Sequence, residues 1–301
     1  MILPLILGVG EILWDLLPSG KQLGGAPANF AYHAHALGAE AWPLSRVGDD
    51  ALGREILTRL GELDLPTEGV AVDAEAPTGT VSVQFLDGQP SYTIHENVAW
   101  DHLDLDDQAL ALATRADALC FGTLAQRSPQ SSGTIRTLLA ATPVRALRIF
   151  DINLRQAFYS EELIQDSLEA ATVLKLSDTE LPVLADLFAL RGEHREQLDT
   201  LAKLFHLDAV ALTRGARGSL LLQGKRACEH PGFPVAVVDT VGAGDAFTAA
   251  LVMGLLAQQE LEVINESANR LAAYVCSQAG ATPRIPEERL LGLRFAQIKM
   301  D

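Results

Sequence analysis

The sequence predicts an α/β protein with a mainly parallel central sheet. Apolar runs of strand length alternate with helical patterns through almost all of its 301 residues, which is typical of successive βα units. Residues 80–86 differ, because they alternate apolar and polar side chains and return as residues 91–94 after the turn pair Asp87-Gly88. Since this hairpin interrupts the βα units, we expect it to leave the main sheet and form a small β lid.

The remaining elements follow one another without a linker or an internal repeat. Residues 2–9 form the first predicted strand, Pro27 then opens a helix that Gly38 ends, and Asp50 caps a second helix over 51–62. Further strands are predicted at 118–121, 147–151, 172–175, 209–213 and 219–222, and further helices at 161–170, 179–189, 195–205, 245–258 and 264–279. The chain, 1–301, is therefore predicted to be one domain.

Composition limits the classes of function. With 48% hydrophobic and 21% charged residues the chain can bury a large core, which excludes wholesale disorder. The net charge of −16 argues against nucleic acid or an anionic membrane as partner, because both bind clustered Lys and Arg. Three scattered cysteines fit a reducing compartment, and no apolar run is long enough to span a membrane. We expect a cytoplasmic protein.

Residues 239–247, Asp-Thr-Val-Gly-Ala-Gly-Asp-Ala-Phe, carry the strongest chemical signal. The glycine-rich turn precedes a helical pattern, and the free N–H groups at the start of a helix form a site for an anion. Asp245 can take a proton from a hydroxyl while the amides of Gly242, Ala243 and Gly244 hold a transferring phosphoryl group. The segment by itself is equally compatible with Asp245 as an ordinary helix N-cap.

A second glycine motif, Gly24-Gly25, stands just before the predicted helix that contains Asn29. Paired glycines let the backbone approach a ligand closely, and an Asn one turn later offers both a hydrogen-bond donor and an acceptor. Asp15, a few residues after the first strand, can accept hydrogen bonds from sugar hydroxyls. The alternatives are a plain tight turn for the glycines and a solvated loop carboxylate for Asp15.

Taken together, these motifs resemble the ribokinase/fructokinase (PfkB) family of carbohydrate kinases. Residues 10–15 are similar to the family's N-terminal sugar-contacting strand, and residues 24–29 with 47–53 to its N-terminal signature. Residues 239–247 are similar to its C-terminal signature. The resemblance implies a ribokinase-like three-layer α/β/α sandwich with a mainly parallel central sheet and a small β lid contributed by about 11–23 and 78–97.

Further segments extend the resemblance to the ligand sites. Residues 151–155 are similar to a family segment near the sugar, 175–180 to an element tied to Mg²⁺ and phosphate, and 213–218 to the nucleotide loop. Ser177 stands where many relatives have Asn. The roles implied are catalysis by Asp245 with Gly242, Ala243 and Gly244; sugar binding by Asp15, Gly24, Gly25, Asn29, Asn153 and Arg155; nucleotide binding by Lys175, Thr213, Gly215, Gly218 and Asn269; Mg²⁺ binding through water by Glu180; and binding of a monovalent cation such as K⁺ by Asp239, Val241 and Ala281.

The resemblance implies a fructokinase-like enzyme that uses ATP and Mg²⁺ to phosphorylate a small neutral sugar. Acid-sugar kinases and many fructose kinases of the family have an Arg after the second lid strand, whereas residues 93–97 of this chain read Thr-Ile-His-Glu-Asn. The open alternatives are a kinase for 2-keto-3-deoxygluconate, ribose or a nucleoside, and an inactive sugar-binding regulator. The partners expected are the sugar and ATP, with a homodimer through the β lid.

Overall fold

The computed structural model of the protein describes residues 3–18, 20–86, 89–104 and 106–292. Thirteen strands lie in these ranges: β1 (Leu5–Val9), β2 (Leu13–Leu17), β3 (Gly20–Gly24), β4 (Glu40–Gly48), β5 (Val70–Asp73), β6 (Gly79–Leu86), β7 (Gln89–Ile94), β8 (Ala118–Phe121), β9 (Leu147–Asp151), β10 (Val173–Ser177), β11 (Ala209–Thr213), β12 (Ser219–Gln223) and β13 (Arg226–His230). Nine of them form one sheet in the order β13-β12-β11-β10-β9-β8-β1-β4-β5. All neighbours in it are parallel except the pairs that involve β12.

Ten α-helices accompany these strands within the described ranges: α1 (Ala26–Ala36), α2 (Ala51–Glu62), α3 (Asp107–Ala113), α4 (Pro129–Ala141), α5 (Glu161–Ala170), α6 (Leu181–Leu187), α7 (His194–Leu204), α8 (Ala243–Leu256), α9 (Leu261–Cys276) and α10 (Glu287–Gly292). Successive side chains of a strand enter different cores: Leu7 of β1 lies in the core shared with α4, α5 and α7, and Ile6 in the core shared with α1, α8 and α9. The sheet is thus covered on both faces, which confirms the predicted three-layer α/β/α fold.

The remaining four strands form a separate sheet in the order β3-β2-β6-β7. β2 pairs with β6 in parallel, while β2 with β3 and β6 with β7 are antiparallel. The predicted hairpin is therefore present as β6 and β7, and its predicted turn, Asp87-Gly88, lies outside the described residues. This second sheet attaches next to the end of β1, because only three residues separate β1 from β2.

The sequence pattern located most elements but missed β4, β5, α3, α4 and α10, and two of these omissions have clear causes. Pro27 lies in the first turn of α1, and Asp50 caps α2 by accepting from the N–H of Gly53 at 2.8 Å. The prediction omitted β4, whose Pro43 and Arg46 break a strand-like alternation, and α4, which is rich in Ser, Thr and Gly. Parallel pairing of β4 with β1 and packing of α4 on the sheet override these weak local signals. Residue 2 of the predicted first strand lies outside the described residues.

Within the part of the chain that the structure describes, no helix is both long and apolar enough to cross a membrane.

Candidate active site

The candidate site lies where several strands of the large sheet end and two helices begin. β1, β9, β10 and β11 are parallel, so their carboxyl ends meet at one edge of the sheet. α1 and α8 start at this edge and pack against each other. Many of the residues implied by the sequence lie at this edge, either after these strands or in the first turns of these helices; Asp15 lies in β2, Lys175 within β10 and Asn269 within α9.

Asp245 faces α1 and does not cap its own helix. The N-cap of α8 is Gly242, with a left-handed φ of 77°, and Asp245 is the third helical residue. Its Oδ2 accepts a hydrogen bond from Nδ2 of Asn29 at 2.8 Å, between residues 216 positions apart. The N-cap interpretation is therefore wrong, because no side chain caps α8 and the carboxylate is held by a different helix.

Burial, together with the nearby Asp151 carboxylate, raises the pKa of Asp245 from about 3.8 to a net value of about 6. The hydrogen bond from Asn29 and the charges of Lys175 and Arg155 oppose this rise. The resulting pKa suits a general base, since the carboxylate is ionised at neutral pH and still binds a proton better than an exposed Asp. The geometry and charge at Asp245 therefore fit proton abstraction from a hydroxyl.

The amides predicted to hold the phosphoryl group lie at the N-terminus of α8. The N–H of Ala243 makes only a long 3.4 Å hydrogen bond to the carbonyl of Thr240, and the N–H groups of Gly242 and Gly244 have no acceptor among the described backbone groups. Gly242 must be glycine, because its φ is positive and a Cβ there would lie 2.5 Å from the Ala281 carbonyl oxygen. These free amides and the helix dipole form a site suited to an anion.

A buried ion pair between Lys175 and Asp151 lies beside the first turn of α8. Nζ of Lys175 lies 3.0 Å from Oδ1 of Asp151, and Oγ1 of Thr248 donates to Oδ2 of Asp151 at 2.9 Å. A Cβ at Gly244 would be 3.1 Å from the Lys175 ammonium, which therefore lies directly beneath the anion site. Burial lowers the pKa of Lys175, but Asp151, Glu180 and Asp245 together raise it above its usual value, so the side chain stays charged. Lys175 thus faces the phosphate end of the site.

Of the predicted sugar residues, Asn29 bonds to Asp245, and Arg155 lies within electrostatic range of both Asp15 and Asp245. Oδ2 of Asp15 lies over Gly24, where a Cβ would be only 2.5 Å away, and burial raises the pKa of Asp15 while Arg155 lowers it. Gly25 has a φ of 113° and no room for a side chain beside the Glu11 carbonyl oxygen. The exposed guanidinium of Arg155 donates to the Leu154 carbonyl and is in no ion pair with the described residues.

Asn153 belongs to the same loop as Arg155 and has a φ of 42°. A left-handed conformation is uncommon for a residue with a side chain, and Asn is among those that tolerate it. Oγ1 of Thr123 donates to the Ile152 carbonyl at 2.9 Å and makes a longer contact of 3.4 Å with the Asn153 carbonyl. The structure therefore fixes this loop from the neighbouring strand end and places it within electrostatic range of Asp15 and Asp245.

The predicted nucleotide residues follow β11 and differ in accessibility. Gly215 is exposed, with a φ of 56° and open space around its Cα. Gly218 is buried instead, and a Cβ there would lie 1.9 Å from the His230 carbonyl oxygen, so its packing requires glycine. Oγ1 of Thr213 donates to the Leu176 carbonyl at 3.3 Å. Nδ2 of Asn269 is bonded to Ser219 and Asn265, which leaves its oxygen as the free end of the amide.

The predicted Mg²⁺ residue, Glu180, has its carboxylate fixed by the protein. Oε1 accepts from the N–H of Leu154 at 2.9 Å, and Oε2 accepts from the N–H and the hydroxyl of Ser177 at 2.7 and 2.8 Å. No cluster of three or more metal-binding side chains occurs among the described residues. Mg²⁺ commonly uses only one or two carboxylates together with waters and substrate phosphates, so this arrangement fits the ion.

The three predicted monovalent-cation residues come together from two segments. Asp239 accepts from the N–H of Val241 at 3.0 Å and from the N–H of Gly280 at 3.1 Å, which joins the turn before α8 to the loop after α9. The carbonyl of Ala281 lies against Gly242 and also bonds with Nε2 of the buried His33 at 2.9 Å. Carboxylate and carbonyl oxygens so close to the anion site fit a weakly charged hard cation.

The sequence analysis missed several residues that the fold brings to the site. Arg127, in a 3₁₀ helix after β8, forms a bidentate ion pair with Asp101 at 2.7 and 2.8 Å and donates to the carbonyl of His95 at 2.6 Å. An arginine thus reaches the end of β7 from a distant segment, although residues 93–97 contain none. Glu11, next to Gly10 at the end of β1, is also buried at the site. Arg127 had no sequence signal beyond a charge after a strand. Glu11 lies in the segment 10–15 that resembles the family's sugar-contacting strand, but the sequence analysis gave it no role of its own.

Comparison with known proteins agrees with this geometry. The uncharacterized sugar kinase PH1459 of Pyrococcus horikoshii is 28% identical, with 95% of both chains covered. Its solved structure has a TM-score of 0.82 at 27% identity and covers 95% of this chain and 96% of that chain. A fructokinase of Escherichia coli is 29% identical over 92% of this chain and 95% of the relative.

A fructokinase from Xylella fastidiosa, solved with bound ATP, has the same fold, with a TM-score of 0.81 at 24% identity and coverage of 96% and 97%. The model of the pfkB family carbohydrate kinase matches residues 19–288, which include both glycine motifs and every predicted site residue except Asp15. The chain therefore belongs to the pfkB family of carbohydrate kinases and is a sugar kinase.

Proposed function

We propose that the protein transfers the γ-phosphoryl group of ATP to a hydroxyl of a small neutral sugar, with fructose as the first candidate. The observation that carries this proposal is the Asp245 carboxylate, which is held at 2.8 Å by Asn29 next to the free amides of the α8 N-terminus. A general base and an anion site one residue apart are what phosphoryl transfer to an alcohol requires. The relatives named as fructokinases support fructose as the acceptor.

In this proposal, the protein contributes mainly positioning and charge stabilisation. Asp15, Gly25 and Asn29 hold the sugar so that one hydroxyl points at Asp245, which accepts its proton as the phosphoryl group transfers. The amides of Gly242 and Gly244 stabilise the charge on the phosphoryl oxygens. Because these donors already point at the site, they need no reorganisation during the reaction.

The nucleotide lies along the loop after β11 in this proposal. Lys175 adds a positive charge under the anion site, and the exposed Gly215 lets backbone approach the nucleotide phosphates. Mg²⁺, bound near Glu180 through water, neutralises phosphate charge when present. The solved structure of PH1459 in complex with ATP, whose sequence is 28% identical to this chain, supports ATP as the phosphoryl donor.

The charges around the lid favour a neutral acceptor over an acid sugar. The second lid strand is followed by Glu96, and the charge of Arg127 is balanced by Asp101, which accepts from its Nε and Nη2, while its Nη1 has no partner among the described residues. Arg155 forms no ion pair with the described residues and could meet a substrate carboxylate, but it already lies within electrostatic range of Asp15 and Asp245. We therefore expect kcat/KM for fructose to exceed that for 2-keto-3-deoxygluconate.

The test is a coupled ADP-release assay with Mg-ATP and a panel of neutral hexoses, pentoses, acid sugars and nucleosides. We expect turnover with a neutral sugar, and loss of that turnover in Asp245→Asn. If 2-keto-3-deoxygluconate or a nucleoside had the highest kcat/KM, the neutral-sugar assignment would be wrong. Sugar binding without ADP release would instead favour a regulator that has lost catalysis.

We also propose a homodimer through the β lid. β3 and β7 are the two edges of the four-stranded sheet, and edge strands offer unpaired backbone groups to another chain. Light scattering coupled to size exclusion measures the oligomeric state. A monomer at micromolar concentration would contradict this assembly and would leave the kinase assignment unaffected.

A further inference from the structure

The carboxyl group of Glu11 is buried at the end of β1 and has no assigned role. Its side chain is 3% exposed, and Oε2 has no hydrogen-bond partner among the described residues. Leaving a buried polar atom unpaired costs about 1–3 kcal/mol, so such an atom calls for an explanation. A ligand that pairs with Oε2 on binding would recover that free energy.

Glu11 lies beside residues that are proposed to hold the sugar. The N–H of Ala26, in the first turn of α1, interacts with the carboxyl group, and the N-cap of that helix, Gly25, provides no side chain of its own. Asp245 approaches from α8 and Arg155 from the loop after β9. Cys120 of β8 lies within electrostatic range on the sheet side. Glu11 therefore lies within electrostatic range of Asp245 and Arg155, two residues of the proposed site.

A second unpaired atom lies near the start of α1. Oδ1 of Asn29 is buried without a partner, while Nδ2 of the same amide donates to Asp245. Oδ1 can only accept a hydrogen bond, whereas a protonated carboxyl group of Glu11 can donate one. Sugar hydroxyls both donate and accept, so one substrate can satisfy both atoms.

The protonation state is consistent with this arrangement. Burial raises the pKa of Glu11 to about 7, and Asp245 adds to the rise, while the N–H groups of Glu11 and Ala26 and the charge of Arg155 oppose it. The pKa of Asp245 is about 6. Burial thus favours the protonated form of Glu11 near neutral pH, and the orphaned Oε2 is then the atom that can donate.

We propose that Glu11 is a further sugar-binding residue, which acts as a neutral acid and donates a hydrogen bond from Oε2 to a substrate hydroxyl. The inference rests on the proposed sugar kinase function and adds a specificity-determining residue to it. Glu11 contacts the sugar in this arrangement and takes no proton from it, because that step belongs to Asp245.

The test compares Glu11→Gln and Glu11→Leu with the wild type. Gln has the shape of a protonated Glu and can donate at the same position, so we expect its sugar KM at pH 6.5 to stay within about threefold of the wild type. Leu keeps the volume and loses the donor, so its sugar KM should rise about tenfold or more. The Kd for ATP, measured by calorimetry without sugar, should stay unchanged in both variants.

The control is Asp117→Asn, which neutralises another buried carboxylate at the opposite end of β1, where Oδ2 accepts from the N–H of Leu5 at 2.9 Å. Its sugar KM should not change. Between pH 6.5 and 8.5 the wild-type sugar KM should rise as Glu11 loses its proton, while that of Glu11→Gln should rise less. This comparison decides the question even if Glu11→Leu does not fold.

Two results would overturn the inference. A rise in sugar KM in Glu11→Gln as large as that in Glu11→Leu would mean that an ionised carboxylate is required. A sugar KM equal to the wild-type value in Glu11→Leu would place Glu11 outside the sugar site. If the wild-type protein phosphorylates no sugar, the proposed function itself has failed. The same variants are then compared by calorimetric sugar binding, with equal affinities refuting the role of Glu11.

Discussion

Replacement of Asp245 by Asn is the most direct test of the mechanism. The structure shows that this change should leave the local fold intact, because Gly242 is the N-cap of α8 and Asp245 caps nothing. The Asn oxygen can still accept the hydrogen bond that Asn29 donates to Oδ2 at 2.8 Å. The change therefore removes the proton acceptor and leaves the packing between α1 and α8 in place.

The expected loss of activity follows from the role of a general base. A positioned base contributes roughly 10²–10⁴-fold to the rate, so kcat should fall by about that factor while the Kd values for ATP and sugar change little. In the wild type, kcat should rise with pH through about pH 6, where Asp245 becomes ionised. That step should be absent from the residual activity of the variant.

Whereas Asp245→Asn should lower kcat, it should leave the free energy of unfolding unchanged or raise it. The pKa of Asp245 is about 6 in the folded protein against about 3.8 in the unfolded chain, so its stabilising contribution is present below about pH 4 and is lost as pH rises through 6. Above pH 6 the partly buried charge lowers the free energy of unfolding by less than about 3 kcal/mol, because solvent reaches part of the side chain. Asn removes that charge, so Tm at pH 7.5 should be unchanged or a few degrees higher.

The assay pairs steady-state kinetics with thermal unfolding of the wild type, Asp245→Asn and Asp166→Asn. Asp166 is a matched control because it is a surface carboxylate paired with Arg136. Unchanged kcat in Asp245→Asn would refute the general-base role. A markedly lower Tm at pH 7.5 would refute the assignment of an energetically unfavourable buried charge.

Three further predictions concern the parts around the base. Gly218→Ala should lower Tm and weaken ATP binding strongly, because the new Cβ would clash with the His230 carbonyl oxygen. Gly215→Ala has open space and should lower the free energy of unfolding by only about 1 kcal/mol. Equal effects of the two variants on unfolding and on ATP binding would contradict this packing. Lys175→Met leaves the buried Asp151 carboxylate without its counter-ion, although the Thr248 hydroxyl still donates to it, so urea unfolding should show a loss of about 3–5 kcal/mol in the free energy of unfolding. Adding Asp151→Asn should restore part of that loss, whereas additive losses would mean that the pair is uncoupled. Turnover should be higher in K⁺ than in tetramethylammonium at equal ionic strength, since Asp239 lies beside the anion site; equal rates in the two salts would argue against a cation site.

The sequence was sufficient for features that depend on local chemistry. The alternation of apolar runs predicted the α/β class, Pro27 and Asp50 marked helix starts, and the motif at 239–247 predicted a glycine turn leading into a helix. These signals are local because backbone conformation at a turn or cap depends on neighbouring residues. Weak local signals, as in β4 with its Pro43, were missed for the same reason.

What the tertiary structure decided is which distant groups meet and how deeply they are buried. Only folding brings Asn29 to Asp245, which excludes the N-cap interpretation, and only folding sets Arg127 against the end of the second lid strand. The orphaned oxygen of Glu11 also depends on burial. Packing between elements produces hydrogen bonds between residues far apart in the sequence, and it also desolvates charged groups. A local sequence pattern does not predict either effect.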